Sequence, residues 1–324
     1  MHTIPQLQQI IENAVQETKY PSHPIELYQP IAYLMGLGGK RLRPALLLMA
    51  TDLFAGDIKK AINPAMAIET FHNFTLMHDD IMDKAPLRRG KPTVHEKWNE
   101  SVAILAGDVM FVEAFKLMIQ VDAQILPQVL SVFNDTAVGV CEGQQIDMNF
   151  ESATQVTLAD YLEMIRLKTA VLLGGALKIG ALIGNANLTD ANKLYDFGLN
   201  LGIAFQLQDD ILDVYGDPEK FGKQVGGDIL SNKKTFLLIK ALELADEETL
   251  QQLNGYLNNT TIGPSQKVIA VTAIYNKLNI KRIAETEMMK FAEISLQALT
   301  EINAPEERKL VLKDFANMLI ERDN

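Results

Sequence analysis

The sequence predicts an all-α protein: one large helical domain of ten or more helices, two of them lining an internal cavity. Three observations carry that expectation. Apolar residues recur at three- and four-residue intervals along almost the whole chain. No convincing strand pair is evident, and no Asn-Gly turn flanked by alternating apolar residues. Two of the helical segments carry a narrow polar stripe in a wide apolar surround, the reverse of an ordinary surface helix. With 324 residues, 48% of them apolar, the chain has ample material for a core of this size.

The elements follow from the punctuation. The first helix is expected over 5–20, closing before Pro21 and Pro24. The next, 44–54, opens at Pro44 after the glycine-rich GLGGKRLRP, since proline suits a first helical turn. Helices at 61–83 and 100–119 are separated by Gly90 to Pro92, and Pro127 opens 127–148. Asn185 to Asn187 divide 158–184 from 190–214, and Gly216 to Pro218 end the latter. Helices over 233–244, 265–275 and 277–301 complete the set. Nothing reads as a linker or a low-complexity tract, so residues 1–324 are expected to form a single domain.

Composition narrows the function. A net charge of −11 repels polyanions, so nucleic acid is not an expected partner. The basic residues are nevertheless clustered, in GGKRLRP (38–44), RRGK (88–91) and KK (233–234), which suits a compact anionic ligand. A single cysteine, Cys141, rules out an intrachain disulfide framework and fits a reducing, cytoplasmic setting. The N-terminus lacks a basic start followed by an apolar core, so no signal peptide is expected. No apolar run reaches the length of a membrane span.

The inside-out helices carry the chemistry. In 199–214 the stripe is Gln206, Asp209, Asp210 and Asp213; in 66–83 it is His72, Thr75, Asp79 and Asp83. Both are expected to be buried helices whose stripes line an internal cavity. MHDDIMD (77–83) and LQDDILD (207–213) each contain DDxxD, whose first and last aspartates lie one turn apart on one face. Stacked carboxylates repel unless a cation bridges them, and oxygen ligands without His or Cys favour Mg²⁺. A lone DDxxD is more often a solvated acidic patch. Two copies in apolar helices, each followed by basic residues, point to a metal–phosphate site. An EF-hand is excluded, because Lys84 and Val214 stand where its loop needs glycine. Arg88 and Arg89 offer planar forks for phosphate. Lys40 and Arg43 can share an anion with the N-terminus of the helix at 44. That loop is not a Walker A motif, because Leu34 and Arg41 break its pattern.

GGKRLRP, HDDIMDKAPLRRGKPTVH, GQQID, KT at 168–169, and LQDDILDVYGD with the following GK and DILSNKK resemble the trans-isoprenyl diphosphate synthases, the polyprenyl synthetase family. The likeness covers nearly the whole chain. It implies the isoprenoid synthase fold, helices around a deep cavity, and a homodimer. It also implies that Asp79 and Asp83 are ligands for two Mg²⁺ and Asp209 for a third, with Asp80, Asp147, Asp210, Asp213 and Asp228 in support. Arg88, Lys168, Lys223 and Lys233 are then contacts of an allylic diphosphate, and Lys40, Arg43, His72 and Arg89 bind isopentenyl diphosphate. Thr169 and Gln206 resemble residues beside the forming allylic cation. A lone histidine among apolar residues is more often a satisfied core group. His72, seven residues before Asp79 and nearly in line with it, fits the functional role better. Trp98, Cys141 and the methionines read as packing.

The implied reaction joins isopentenyl diphosphate to an allylic diphosphate in the trans configuration. Cations stabilise the departing diphosphate, the homoallylic double bond attacks the cation left behind, and the diphosphate takes the proton. A dry apolar cavity protects the cation from water. Phe74 and Thr75, five and four residues before Asp79, are the expected floor for the growing chain, with Phe71 a turn below. One aromatic and one small residue there imply geranylgeranyl diphosphate, with farnesyl diphosphate next. A terpene cyclase also uses DDxxD, but pairs it with a different second metal motif and needs no Lys40, Arg43 and Arg89 set. A non-catalytic subunit of a hetero-oligomeric synthase is the binding-protein alternative, and such subunits lose aspartates that this chain keeps.

Overall fold

A computed structural model describes residues 1–217, 226–259 and 261–320. Its helices are α1 (Ile4–Glu17), α2 (Ile25–Gly36), α3 (Leu42–Leu53), α4 (Ile58–Met82), α5 (Val94–Lys97), α6 (Glu100–Met118), α7 (Leu126–Ser152) and α8 (Leu158–Ile165). A π-helical turn, Arg166–Ala170, leads into α9 (Val171–Ile183) and then α10 (Leu188–Tyr215). Beyond these come α11 (Gly227–Leu230), α12 (Phe236–Leu244), α13 (Glu247–Asn258), α14 (Pro264–Lys277), α15 (Ile280–Thr300) and α16 (Glu306–Ile320). The all-α expectation holds. Among the described residues no helix is long and apolar enough to cross a membrane.

Local chemistry sets many of these boundaries. Asp57 accepts from the Lys59 N–H at 2.9 Å and Asn99 from the Val102 N–H at 2.9 Å, opening α4 and α6. Thr157 and Asp160 form a capping box at the start of α8. Several elements escaped the periodicity reading. Pro30 lies inside α2 and broke its pattern. Helix α13 buries only Thr249 and Leu253, too thin a stripe to register. Helix α16, over 306–320, was not expected, although Leu312, Phe315, Ala316 and Leu319 are buried along it. A two-residue antiparallel ladder, Leu87–Arg88 against Lys91–Pro92, corrects the expectation of no strand pair. Such a short ladder has no alternation to read.

The chain divides into two compact units. The first comprises residues 1–135, 175–195 and 302–312. There α4 packs against α3 and α6, and α1 against α3 and α4. Every residue of α3 from Pro44 to Leu53 is buried. Helix α4 is buried around most of its girth, with the polar Glu69, Thr70, Asn73 and Asp80 inside along with Ile68, Phe71 and Met77. The second unit comprises residues 136–174, 196–301 and 313–324. Its core is built from Tyr161, Leu207, Phe236, Leu253, Val271, Ile280 and Ala284, drawn from α8, α10 and α12–α15.

Candidate active site

In the first unit, DDxxD occupies the C-terminal end of α4, whose last turn holds no basic residue. A helix C-terminus is already the negative end of the macrodipole, so carboxylates there are unfavourable until a cation neutralises them. The three aspartates are sorted by environment. Asp79 is half-buried, and Asp83, the C-cap, is exposed. Asp80 is turned inward, 2% exposed. It receives a fork from Arg88, Nε at 2.9 and 3.0 Å to its two oxygens and Nη2 at 2.7 Å. Burial raises the Asp80 pKa, and the Arg88 guanidinium opposes that rise.

The chain then turns back on itself. Arg89 and Gly90 sit between the paired strands at φ values of 52° and 72°. Two consecutive positive φ angles are what a type I′ hairpin turn requires, which is why glycine follows the arginine pair. Through this turn Arg88 points to Asp80, while the Arg89 Nη1 donates to the Gly38 carbonyl. Gly39 makes room for that guanidinium: a Cβ there would lie 2.9 Å from the Arg89 Nη2.

Within GGKRLRP the basic residues separate. Arg41, in the left-handed region at φ 47°, is buried against Glu69 (2.5 Å), Glu12 (3.2 Å) and the Met35 carbonyl (2.7 Å). It is a structural cation. The Arg43 Nη1 donates to the His72 Nε2 at 3.2 Å, which places the imidazole proton on Nδ1. Burial, then Arg43, Arg89, Arg88 and Arg41, hold the His72 pKa well below 6.5, so the ring is neutral. Among the described residues the buried Arg43 Nε has no partner. Lys40 lies on the same loop as Gly38 and Gly39. Arg43 and Arg89 are the leading cations that act on the neutral His72, Arg43 through a direct hydrogen bond.

N-terminal to Asp79, Phe71 and Phe74 are 5.6 Å apart and join Phe111, Phe115 and Phe133 in one aromatic cluster. Phe71 is fully buried; Phe74 and Thr75 are half-buried. The Thr75 hydroxyl donates to the His72 carbonyl at 2.8 Å. Phe111, Phe115 and Phe133 were invisible to a reading along α4 alone, because α6 and α7 supply them.

The second unit repeats the sorting at the C-terminal end of α10, again with no basic residue in the last turn. Asp209 is half-buried. Asp210 is turned inward, accepting from the Tyr161 hydroxyl at 2.5 Å, the Gln206 amide at 3.2 Å and the Phe236 N–H at 3.4 Å. Gln206 in turn accepts from the Thr169 hydroxyl at 3.1 Å. Burial, with Asp228 adding to it, pushes the Asp210 pKa up to about 7. Asp213 accepts from the Asp228 N–H at 3.0 Å and so fixes the start of α11. The Lys233 N–H donates to the Asp228 carbonyl at 2.9 Å, and its side chain is exposed. Lys223 lies outside the described residues. Among the described residues no three carboxylate, imidazole or thiolate groups come together as a metal cage.

Lys168 and Thr169 sit on the π-helical turn, a distortion often found at functional sites. Two glycines press on it. A Cβ on Gly143 would lie 2.2 Å from the Lys168 backbone N, and one on Gly202 would lie 2.6 Å from the Ala170 Cα. Asp147, four residues after Gly143, accepts from the Lys168 Nζ at 2.6 Å. Gln206, four residues after Gly202, accepts from Thr169. Each glycine brings its helix close enough for the polar residue one turn later to reach the π turn. The Gly-x₃-polar spacing was legible in GQQID and GIAFQ; Tyr161 left no sequence signal.

Residues 24–277 match the family model for polyprenyl synthetases. A short chain isoprenyl diphosphate synthase of Methanothermobacter thermautotrophicus is 37% identical, over 98% of this chain and 96% of its own. A geranylgeranyl diphosphate synthase of Saccharolobus solfataricus is 39% identical, over 90% and 88%. A crystal structure of a geranylgeranyl pyrophosphate synthase superposes with a TM-score of 0.95 at 40% identity, covering 100% of both chains.

Proposed function

The chain belongs to the polyprenyl synthetase family of trans-prenyltransferases, and we propose from that premise that it condenses isopentenyl diphosphate with an allylic diphosphate to give geranylgeranyl diphosphate. The observation that carries the reading is the parallel sorting of the two DDxxD triplets. In each, the middle aspartate is buried and bound by protein donors, Asp80 by Arg88 and Asp210 by Tyr161. In each, the first, Asp79 or Asp209, is the more open. Both stand near helix C-terminal ends that lack basic residues. All-oxygen donors at a negative helix end fit Mg²⁺. We assign Asp79 and Asp83 to two ions and Asp209 to a third, with Asp147, Asp213 and Asp228 in support. These ions supply the charge that stabilises the departing diphosphate.

The chain's own residues do the rest. Arg88, Lys168 and Lys233 bind the allylic diphosphate, and Lys223 is assigned with them from its motif. Lys40, Arg43, His72 and Arg89 hold isopentenyl diphosphate, the neutral imidazole taking a hydrogen bond from Arg43 rather than adding charge. Thr169 and Gln206 place oxygen atoms beside the allylic cation. The released diphosphate takes the proton. Phe74, braced by Phe111, stops the chain roughly five residues, about 7.5 Å of helix, before the first metal ligand. Exposed Ile104, Leu105 and Val112 on α6 are compatible with a homodimer, and the setting we propose is cytoplasmic.

The test is incubation of purified protein with Mg²⁺, isopentenyl diphosphate and each allylic primer, followed by product chromatography. Geranylgeranyl diphosphate is the expected product, lost on chelation and restored by Mg²⁺. No condensation with any primer refutes the reaction; a different chain length refutes only the floor. Light scattering of the eluting protein checks the dimer.

A further inference from the structure

We propose that Gln8 of α1 is a positioning residue for isopentenyl diphosphate, acting through the loop that carries Lys40; this rests on the assignment of Lys40 and Arg89 made above. The match to the family model begins at residue 24, so α1 lies outside it. Helix α1 is nonetheless firmly seated, with Leu7, Ile11 and Val15 buried and its face against α3 and α4. Gln8 and Glu12, one turn apart, reach the loop from that anchored helix. The Gln8 Nε2 donates to the Lys40 carbonyl at 2.6 Å, and Glu12 accepts from the Arg41 Nε at 3.2 Å.

The loop needs such ties. Gly38 and Gly39, at φ values of 80° and 135°, are conformationally free and do not fix the loop by themselves. Arg41, at φ 47°, is in a left-handed conformation that persists in a non-glycine residue only where the surroundings hold it. Packing does not hold the outer side, because α1 and the loop wall a pocket of about 450 Å³. Arg41 has a second anchor in Glu69, whereas the Lys40 carbonyl is met from α1 by the Gln8 amide. The same loop bears the Gly38 carbonyl on which Arg89 rests. Moving it displaces Lys40 and Arg89 together.

Gln8→Ala tests this in steady-state kinetics with both substrates varied. The expected result is a KM for isopentenyl diphosphate raised about three- to tenfold, the range of one lost hydrogen bond, with the allylic KM unchanged and kcat within about twofold. Gln8→Lys, which keeps a donor, restores the lower KM in part. A KM for isopentenyl diphosphate that stays at the wild-type value in Gln8→Ala, while Lys40→Ala raises it, overturns the role of Gln8 and leaves the substrate assignment standing. Equal rises in both KM values also overturn it. If Lys40→Ala changes nothing, the assignment of the loop falls and the inference falls with it.

Discussion

Gly143→Ala isolates the contact that shapes the π turn. The added methyl would lie 2.2 Å from the Lys168 N and 2.7 Å from the Leu167 carbonyl carbon. Carbon needs about 3.5 Å from such atoms, so α7 and the turn must part by roughly 1.3 Å. The obstruction is backbone and cannot swing aside. Overpacking of this kind costs about 1–3 kcal/mol. The movement falls on the 2.6 Å pair between Lys168 and Asp147, and a misplacement of about 1 Å at a catalytic group can cost ~100-fold in rate. Gly139→Ala, one turn earlier, is the control, because its methyl would meet Leu167 Cδ2 at 3.4 Å, an ordinary contact with a movable side chain. Thermal melting and single-turnover rates are measured for both variants. Gly143→Ala should melt earlier and turn over about two orders of magnitude more slowly, with Gly139→Ala near wild type. Wild-type rate and melting temperature in Gly143→Ala would refute the reasoning.

The other expectations use the same structure. Asp79→Ala and Asp209→Ala should each abolish turnover while circular dichroism and melting stay close to wild type; measurable turnover in either removes that residue from the metal set. Phe74→Ala should lengthen the product in chromatography, whereas Phe71→Ala, emptying a fully buried site, should cost about 3–5 kcal/mol in urea unfolding; an unchanged product removes Phe74 as the floor. Tyr161→Phe strips one donor from the buried Asp210 and should cost about 1–3 kcal/mol in urea unfolding, with kcat falling more than KM rises because Asp210, the acceptor of the Gln206 amide, is no longer held by Tyr161. For His72 the folded pKa is depressed below 6.5, so the unfolded chain binds more protons once the pH falls below that value. Its stabilising contribution is present above pH 6.5 and is lost as the pH falls toward the folded pKa. His72→Gln should therefore lose stability less steeply below pH 6.5 than wild type, and parallel slopes would count against a neutral His72.

What the sequence determined by itself is what depends on near neighbours along the chain. Apolar spacing within one helix marked most of the long helices, and two DDxxD repeats with RRG behind the first marked the chemistry. The glycine-rich stretch before Pro44 announced where a helix opens. Tertiary structure decided which member of each group does what. Asp79 and Asp80 are adjacent and chemically identical, yet only Asp80 meets Arg88, because a hairpin brings that arginine back. Arg41 and Arg43 stand two residues apart, and it is Glu12, Met35 and Glu69 that claim Arg41 for the core. Gly143 and Lys168 lie on different helices, and no periodicity along either one registers their contact. A helical repeat encodes which side of a helix is apolar; the partner on that side comes from residues tens of positions away, and only packing brings them into reach.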